Sequence, residues 1–249
     1  KASSIFPLLT AQGINDVHIS DMVLDGSSDD NEPLNGNYVG GLFIQHCNNH
    51  LYERIISRNY AGDGFSFQVC DDIRFNNCKA VDNLELGFHP GSGSQRPTLI
   101  QCTATGNNQG LFFCWGVTNG KVSSSDFSNN REYGVSFGHR DTDNHLLQCK
   151  IESNGVFGIL FREELSSFRG AHRNRIEECL IAGNGHKDAG VAVQCHGKPC
   201  DIEFKKNRFE NLGKKNQRIG FRFSSKHHNF LLKENIFVGM EKNIVKGDS

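Results

Sequence analysis

The sequence predicts an all-β chain folded as a single-stranded right-handed parallel β-helix, a solenoid of rungs of about 23 residues. Three observations carry that prediction. A glycine followed by apolar, any and apolar residues returns at Gly41, Gly64, Gly87, Gly110, Gly134, Gly158, Gly190 and Gly220, at spacings of 23, 23, 23, 24, 24, 32 and 30 residues. A small residue recurs on the same period at Cys78, Cys102, Ser125, Cys149 and Cys179, and each is followed by an asparagine, at Asn83, Asn107, Asn130, Asn154 and Asn184. Amphipathic patterns long enough for helices are absent, which removes leucine-rich and helical solenoids.

Taken in order, residues 14–25 alternate apolar and polar, as a strand with one buried face does. No amphipathic cap precedes them, which predicts further sequence upstream, because a solenoid end exposes unpaired backbone. A polar loop is expected over 25–37. The regular rungs follow, each pairing a glycine strand with a second strand, predicted over 73–80, 98–104, 121–127, 145–151, 175–181 and 202–209. The cysteines read as an internal ladder of buried thiols, with Cys195 and Cys200 the one pair close enough to suggest a disulfide. The asparagines read as a column of left-handed turn residues.

One period predicts one domain over residues 1–249, read as the C-terminal part of a longer protein. A net charge of -1 argues against nucleic acid or an anionic membrane as partner, and no apolar run reaches a membrane span. The nine cysteines form no CxxC pair, so zinc and dithiol chemistry are not indicated. The segment 91–94, GSGS, lacks the lysine and helix of a phosphate-binding loop.

The rungs resemble the pectate-lyase-like parallel β-helix superfamily over nearly the whole chain. GDGFSFQ (62–68), LGFHPGSGSQRP (86–97), GHRDTDN (138–144) and HRNR (172–175) look more narrowly like bacterial β-helix repeat proteins of undefined activity. The resemblance implies a carbohydrate-active protein with a polysaccharide or oligosaccharide as partner, laid along the helix flank. It also implies a periplasmic or extracellular location, against which many unpaired cysteines would suit a reducing compartment. The calcium-binding aspartates of pectate lyases are not recognisable here. No cofactor is required by the reading, a divalent cation such as calcium being left open.

Strand alternation turns Phe43, Ser66, His89, Phe112, Ser136, Leu160, Ala192 and Arg222 outward. The loops that follow add a charged cluster, His139, Arg140 and Asp141, one rung from Arg162, Glu163 and Glu164. An insertion over 162–174 beside that cluster breaks the period, and extra loop length on a rigid scaffold is a common place for function. The candidate catalytic residues are therefore His89, His139, Arg140, Asp141, Arg162, Glu163 and Glu164. Asp63, Gln68, Arg96, Trp115, Asp143, His172 and Arg173 are candidates for substrate binding, and no metal ligand is assigned.

Three functions fit these residues. A lyase or C5-epimerase of uronic-acid-containing chains needs a cation on the carboxylate, a base at C5 and an acid. Arg140 and Arg162 suit the first role, His139 or His89 the second, and the other histidine or Glu163 the third, with Trp115 as a sugar platform. A glycoside hydrolase would instead pair carboxylates, Asp141 with Glu163 or Asp143 with Glu164. A non-catalytic glycan-binding or structural β-helix is the third. Single flank histidines and Arg–Glu clusters are commonly structural, and it is their coincidence on consecutive rungs that points to function.

Overall fold

A computed structural model describes residues 7–30, 39–164, 166–213, 216–224 and 229–247; residues 31–37 of the expected polar loop lie outside them. The glycine strands stack in parallel into a sheet of ten, running from Leu9–Gln12 through Leu42–Gln45, Phe65–Gln68, Leu86–Gly91, Gln109–Phe112, Tyr133–Phe137, Phe157–Phe161, Val191–Cys195 and Ile219–Phe223 to Lys242–Lys246. Two further sheets, of eleven and four strands, complete a right-handed parallel β-solenoid.

The second strand of each rung is shorter than the sequence pattern suggests. In the middle rungs the predicted strand over 73–80 is two pieces, Arg74–Asn76 and Lys79–Val81, separated by a corner at Asn77 with φ 51°. Equivalent corners at Gln101, Ser124, Gln148, Glu178 and Lys206 have φ between 49° and 54°. The apolar alternation runs straight through because Cys78 and its equivalents turn inward just past the corner. Only the first rungs keep long strands, His18–Asp25 and Leu51–Arg58.

Phenylalanines stack along the axis of the core. Phe65 lies 5.0 Å from Phe88, and Phe113, Phe137 and Phe161 form a run with centroids 4.8 and 5.3 Å apart. The thiol ladder is internal as expected: the Cys102 N–H donates to Ser125 Oγ at 3.0 Å and the Cys149 N–H to Cys179 Sγ at 3.3 Å. None of the nine cysteines, Cys195 and Cys200 included, forms a disulfide.

The asparagine column corrects the turn assignment. The left-handed residues are the ones just before it, Asp82, Gly106, Asn129, Ser153 and Gly183. The asparagines themselves are buried and hand an amide bond from rung to rung, Asn83 Nδ2 to Asn107 Oδ1 at 2.9 Å and Asn154 Nδ2 to Asn184 Oδ1 at 2.9 Å, ending on Gln217. Each also donates to a backbone carbonyl, as Asn130 does to Ala104 at 3.1 Å. An amide carries both donors and acceptors, so it satisfies a buried corner that an apolar residue would leave unpaired. At the glycine column the backbones close in: a Cβ on Gly64 would lie 2.8 Å from the Gly87 carbonyl oxygen and 2.9 Å from Ala80.

The register also corrects one repeat. Ile159 pairs with Val193 and Val193 with Phe221, so the residue equivalent to Gly158 and Gly220 is Ala192, not Gly190. Gly190, at φ 69°, closes the preceding turn instead. Two residues of inserted turn moved a glycine out of phase, and the outward position on this rung is therefore Gln194 rather than Ala192.

Candidate active-site face

The outward column of the ten-stranded sheet reads Phe43, Ser66, His89, Phe112, Ser136, Leu160, Gln194 and Arg222. His89 is only 8% exposed. Its Nδ1 donates to Asp63 Oδ2 at 2.7 Å, with Ser66 Oγ at 3.4 Å, and the other Asp63 oxygen accepts the Leu86 N–H at 3.0 Å. Asp63 is buried, so the pair is shielded from water. Burial pulls the imidazole down, but the Asp63 carboxylate and the Cys114 thiol outweigh it and hold His89 at about 9. His89 is thus an imidazolium at neutral pH, and its Nε2 is buried without a hydrogen-bond partner.

On the far side of Phe112 lies a second cation. Arg162 leaves the end of the strand Phe157–Phe161 and folds back across two rungs, placing Cζ 4.0 Å from the Phe112 centroid, while His89 meets the same ring edge-on at 5.4 Å. Arg162 Nη1 donates to Ser136 Oγ at 2.5 Å, and Nη2 to the Phe113 carbonyl at 2.7 Å and to Asp141 Oδ2 at 3.1 Å. Gly138 makes room, since a Cβ there would lie 2.5 Å from Arg162 Nε. Asp141 is fully buried and accepts the N–H groups of Gly116, Val117 and Gly138 at 3.0, 3.1 and 2.8 Å. Burial pushes its carboxyl up to about 6, against the pull of Arg162 and those three donors. Burial likewise lowers Arg162, with Asp141 opposing.

Beyond Arg162 stands a third pair. Glu164 accepts the His139 N–H on one oxygen at 3.0 Å and faces His139 Nδ1 with the other at 3.3 Å. The Trp115 ring lies 5.5 Å from His139 and is 62% exposed, a broad apolar plate beside a polar pair. Its backbone is left-handed, at φ 62°, which tips the indole out of the strand line.

Of the sequence candidates, the structure thus brings together Asp63, His89, Trp115, His139, Asp141, Arg162 and Glu164. Gln68 packs its amide over Gly91 at the rim. Glu163 and Arg140 are exposed, the Arg140 N–H donating to the Arg169 carbonyl at 2.7 Å. Arg96, Asp143 and Arg173 are elsewhere, on a column of left-handed turn residues, where Arg96 pairs with Asp71 and Asp72 and Arg173 with Asp143 in exposed ion pairs. His172 lies near that column with Nδ1 3.0 Å from Cys200 Sγ. The sequence reading placed Phe112 and Ser136 on the outward column without giving either a role, and did not single out Cys114. The signal for all three was parity: each lies on the outward phase of its strand, and Cys114 is out of step with the internal thiol ladder.

Among the described residues no three His, Cys, Asp or Glu side chains converge, and Asp63, Asp141 and Glu164 each already hold a side chain of this chain.

A parallel β-helix with charged pairs sunk into the flank of one sheet defines the class. The chain belongs to the right handed beta helix region family, which it matches over residues 40–168. A comparison with curated proteins finds no match. Among solved structures, the A-module of the Azotobacter vinelandii mannuronan C-5 epimerase AlgE4 superposes with a TM-score of 0.70 at 15% identity, covering 98% of this chain and 76% of that one. The Streptococcus pneumoniae surface protein and adhesin PfbA gives 0.62 at 12% identity, over 83% and 69%. Pectate lyase Pel9A gives 0.59 at 12% identity, over 84% and 55%. Likeness at these identities is likeness of fold.

Proposed function

We propose that this face binds an acidic polysaccharide and removes the C5 proton of a uronate residue, leading to epimerisation or β-elimination. One observation carries the reading: two cations, the His89 imidazolium and the Arg162 guanidinium, flank Phe112, and the His89 Nε2–H has no acceptor. A buried donor left unpaired costs about 1–3 kcal/mol, and a substrate carboxylate would satisfy it. Neutralising that carboxylate is what makes the C5 proton removable, because it stabilises the charge that develops when the proton leaves.

His89, held protonated, serves in this scheme as a carboxylate partner or acid rather than as base. The base is His139, with Glu164 fixing the proton on Nδ1 and leaving Nε2 to accept. Trp115 beside it stacks a sugar. Support also comes from fold neighbours described as an epimerase and a pectate lyase. An exported location is part of the same proposal, in line with a surface protein among them. Paired-carboxylate hydrolysis gains nothing from the geometry, since Asp141 is sealed under Arg162 and Asp143 belongs to the exposed pair with Arg173.

The test is to incubate the protein with mannuronan, polygalacturonate and a neutral glucan in deuterated water. Deuterium at C5 of the acidic chains, for epimerisation, or unsaturated ends, for β-elimination, is the expected result. New reducing ends without deuterium or unsaturation would replace the proposal by a hydrolase, and binding with neither exchange nor unsaturation would replace it by a glycan-binding role.

A further inference from the structure

Cys114 stands apart from the other eight cysteines. Seven are buried, and Cys200 is the only other half-exposed one. Cys114 lies two residues past Phe112 on the outward phase, bridged to Gly91 on the preceding rung, its N–H donating to the Pro90 carbonyl at 3.0 Å. The same register sets it against Gly138 on the following rung. Both neighbours lack side chains, so the thiol sits in a slot bounded by the Gln68 amide over Gly91 and the Arg162 guanidinium over Gly138.

His89 closes that slot. Asp63 and Ser66 are on the rung before His89 and Cys114 is on the rung after it, so a ring whose Nδ1 faces Asp63 turns Nε2 toward the thiol. That nitrogen has no hydrogen-bond partner on a residue more than nine-tenths buried. Cys114 is close enough to act on the charge of both His89 and Arg162. The charged groups around it are these two cations, with Asp63 and Asp141 each behind its own partner and the His139–Glu164 pair beyond Trp115.

We propose that Cys114 is a peroxide-reactive thiol, seated in the slot between the His89 imidazolium and the Arg162 guanidinium. A thiolate flanked by cations is the reactive form of cysteine. Its sulfur attacks one oxygen of a hydroperoxide, an S–O bond forms and the O–O bond breaks, and the departing oxide takes the His89 Nε2 proton to leave as water or alcohol. Sulfur loses two electrons and the peroxide gains them, giving a sulfenic acid. No second thiol shares the slot among the described residues, so the product waits for an external thiol to reduce it. If the face acts on uronates as proposed above, the added oxygen takes the carboxylate's place between the two cations and switches the site off.

Cys200 is the internal control. It too has a histidine at 3.0 Å, His172, but burial and Asp201 push its thiol up, with only Arg173 opposing. The test treats the whole protein with dilute hydrogen peroxide, traps sulfenic acid with a dimedone-type probe and maps the labelled peptide by mass. Labelling of Cys114 ahead of Cys200 is expected, slowed about tenfold by His89→Gln. Equal labelling of the two cysteines in the unmutated protein overturns the proposal. That comparison needs no variant to fold, and no step of the assay depends on a polysaccharide, so it stands or falls apart from the epimerase or lyase reading.

Discussion

The molecule holds two populations of Arg–Asp and His–Asp pairs that obey opposite rules. At the corners, Arg54–Asp21, Arg58–Asp25, Arg96–Asp72 and Arg173–Asp143 link one rung to the next with side chains a third to two-thirds exposed. On the flank of the ten-stranded sheet, His89–Asp63 and Arg162–Asp141 bury their carboxylates almost completely. The corner pairs are all shorter than Arg162–Asp141 at 3.1 Å, and Arg173 forks onto both Asp143 oxygens at 2.8 and 2.7 Å. The difference teaches that pair geometry is a poor guide to importance here. In water such a pair contributes little, whereas a buried charge has to be held by specific donors and is sensitive to each of them.

The largest effect should come from removing the cation of the deepest pair. Arg162→Met leaves Asp141 sealed beneath three N–H donors with no positive partner. A loss of about 3 kcal/mol is expected, at the low end for a broken buried pair because a fifth of the Arg162 side chain meets solvent. Deuterium exchange into substrate should vanish with it. Arg162→Lys keeps the charge but not the fork to Ser136 and Phe113, so it should recover part of the stability and little of the exchange. Urea titration beside the exchange assay separates the two. Equal stability for all three proteins would mean that this pair behaves like a corner pair.

Next comes the pH response near neutrality, which only the buried pairs should show. His89 is raised above its ordinary value, so the stability it lends is complete below about 6.5 and is lost as the pH climbs through about 9. Asp141, at about 6, becomes protonated as the pH falls through that value, and Arg162 then loses its charged anchor. Substrate affinity should accordingly hold a plateau between about 6 and about 9 and fall on both sides. Asp63→Asn removes the anion that keeps His89 charged, so its alkaline limb should shift down by more than one pH unit while the acid limb stays in place. Proton NMR of the His89 ring across the titration checks the assignment. An alkaline limb that ignores Asp63→Asn would sink it.

How much of this was legible in the sequence follows from the same division. A close-packed solenoid imposes its period on glycine, cysteine and asparagine because each rung presents the same steric slot, so the fold could be read from spacing alone. The role of a slot could not. Asparagine suits both a left-handed turn and a buried amide ladder, and only the neighbouring φ values show that Asp82, Gly106 and Asn129 make the turn. Where insertions broke the period the phase slipped, which is how Gly190 stood in for Ala192. On the candidate face, adjacency of rungs was predictable but depth was not. Asp141 and Asp143 are two residues apart and equally acidic in the sequence, yet one is fully buried and the other exposed, because Arg162 folds back over the first while the second ends in a corner.

The smallest predicted effect is the sharpest check on that distinction. Arg173→Ala breaks a two-pronged ion pair that looks stronger on paper than Arg162–Asp141. Asp143 is held below its usual range chiefly by that hydrogen bond, and Arg173 is raised in return. Both side chains meet solvent, however, so each regains water when the other is lost, and the Coulomb gain is screened. The cost should be within about 1 kcal/mol, should shrink further in high salt, and should leave uronate exchange unchanged. Urea midpoints at low and high salt, with exchange measured on the same samples, give the answer. A salt-independent loss comparable to that of Arg162→Met, or a collapse of exchange, would place the corner column inside the working site and erase the boundary between the two populations.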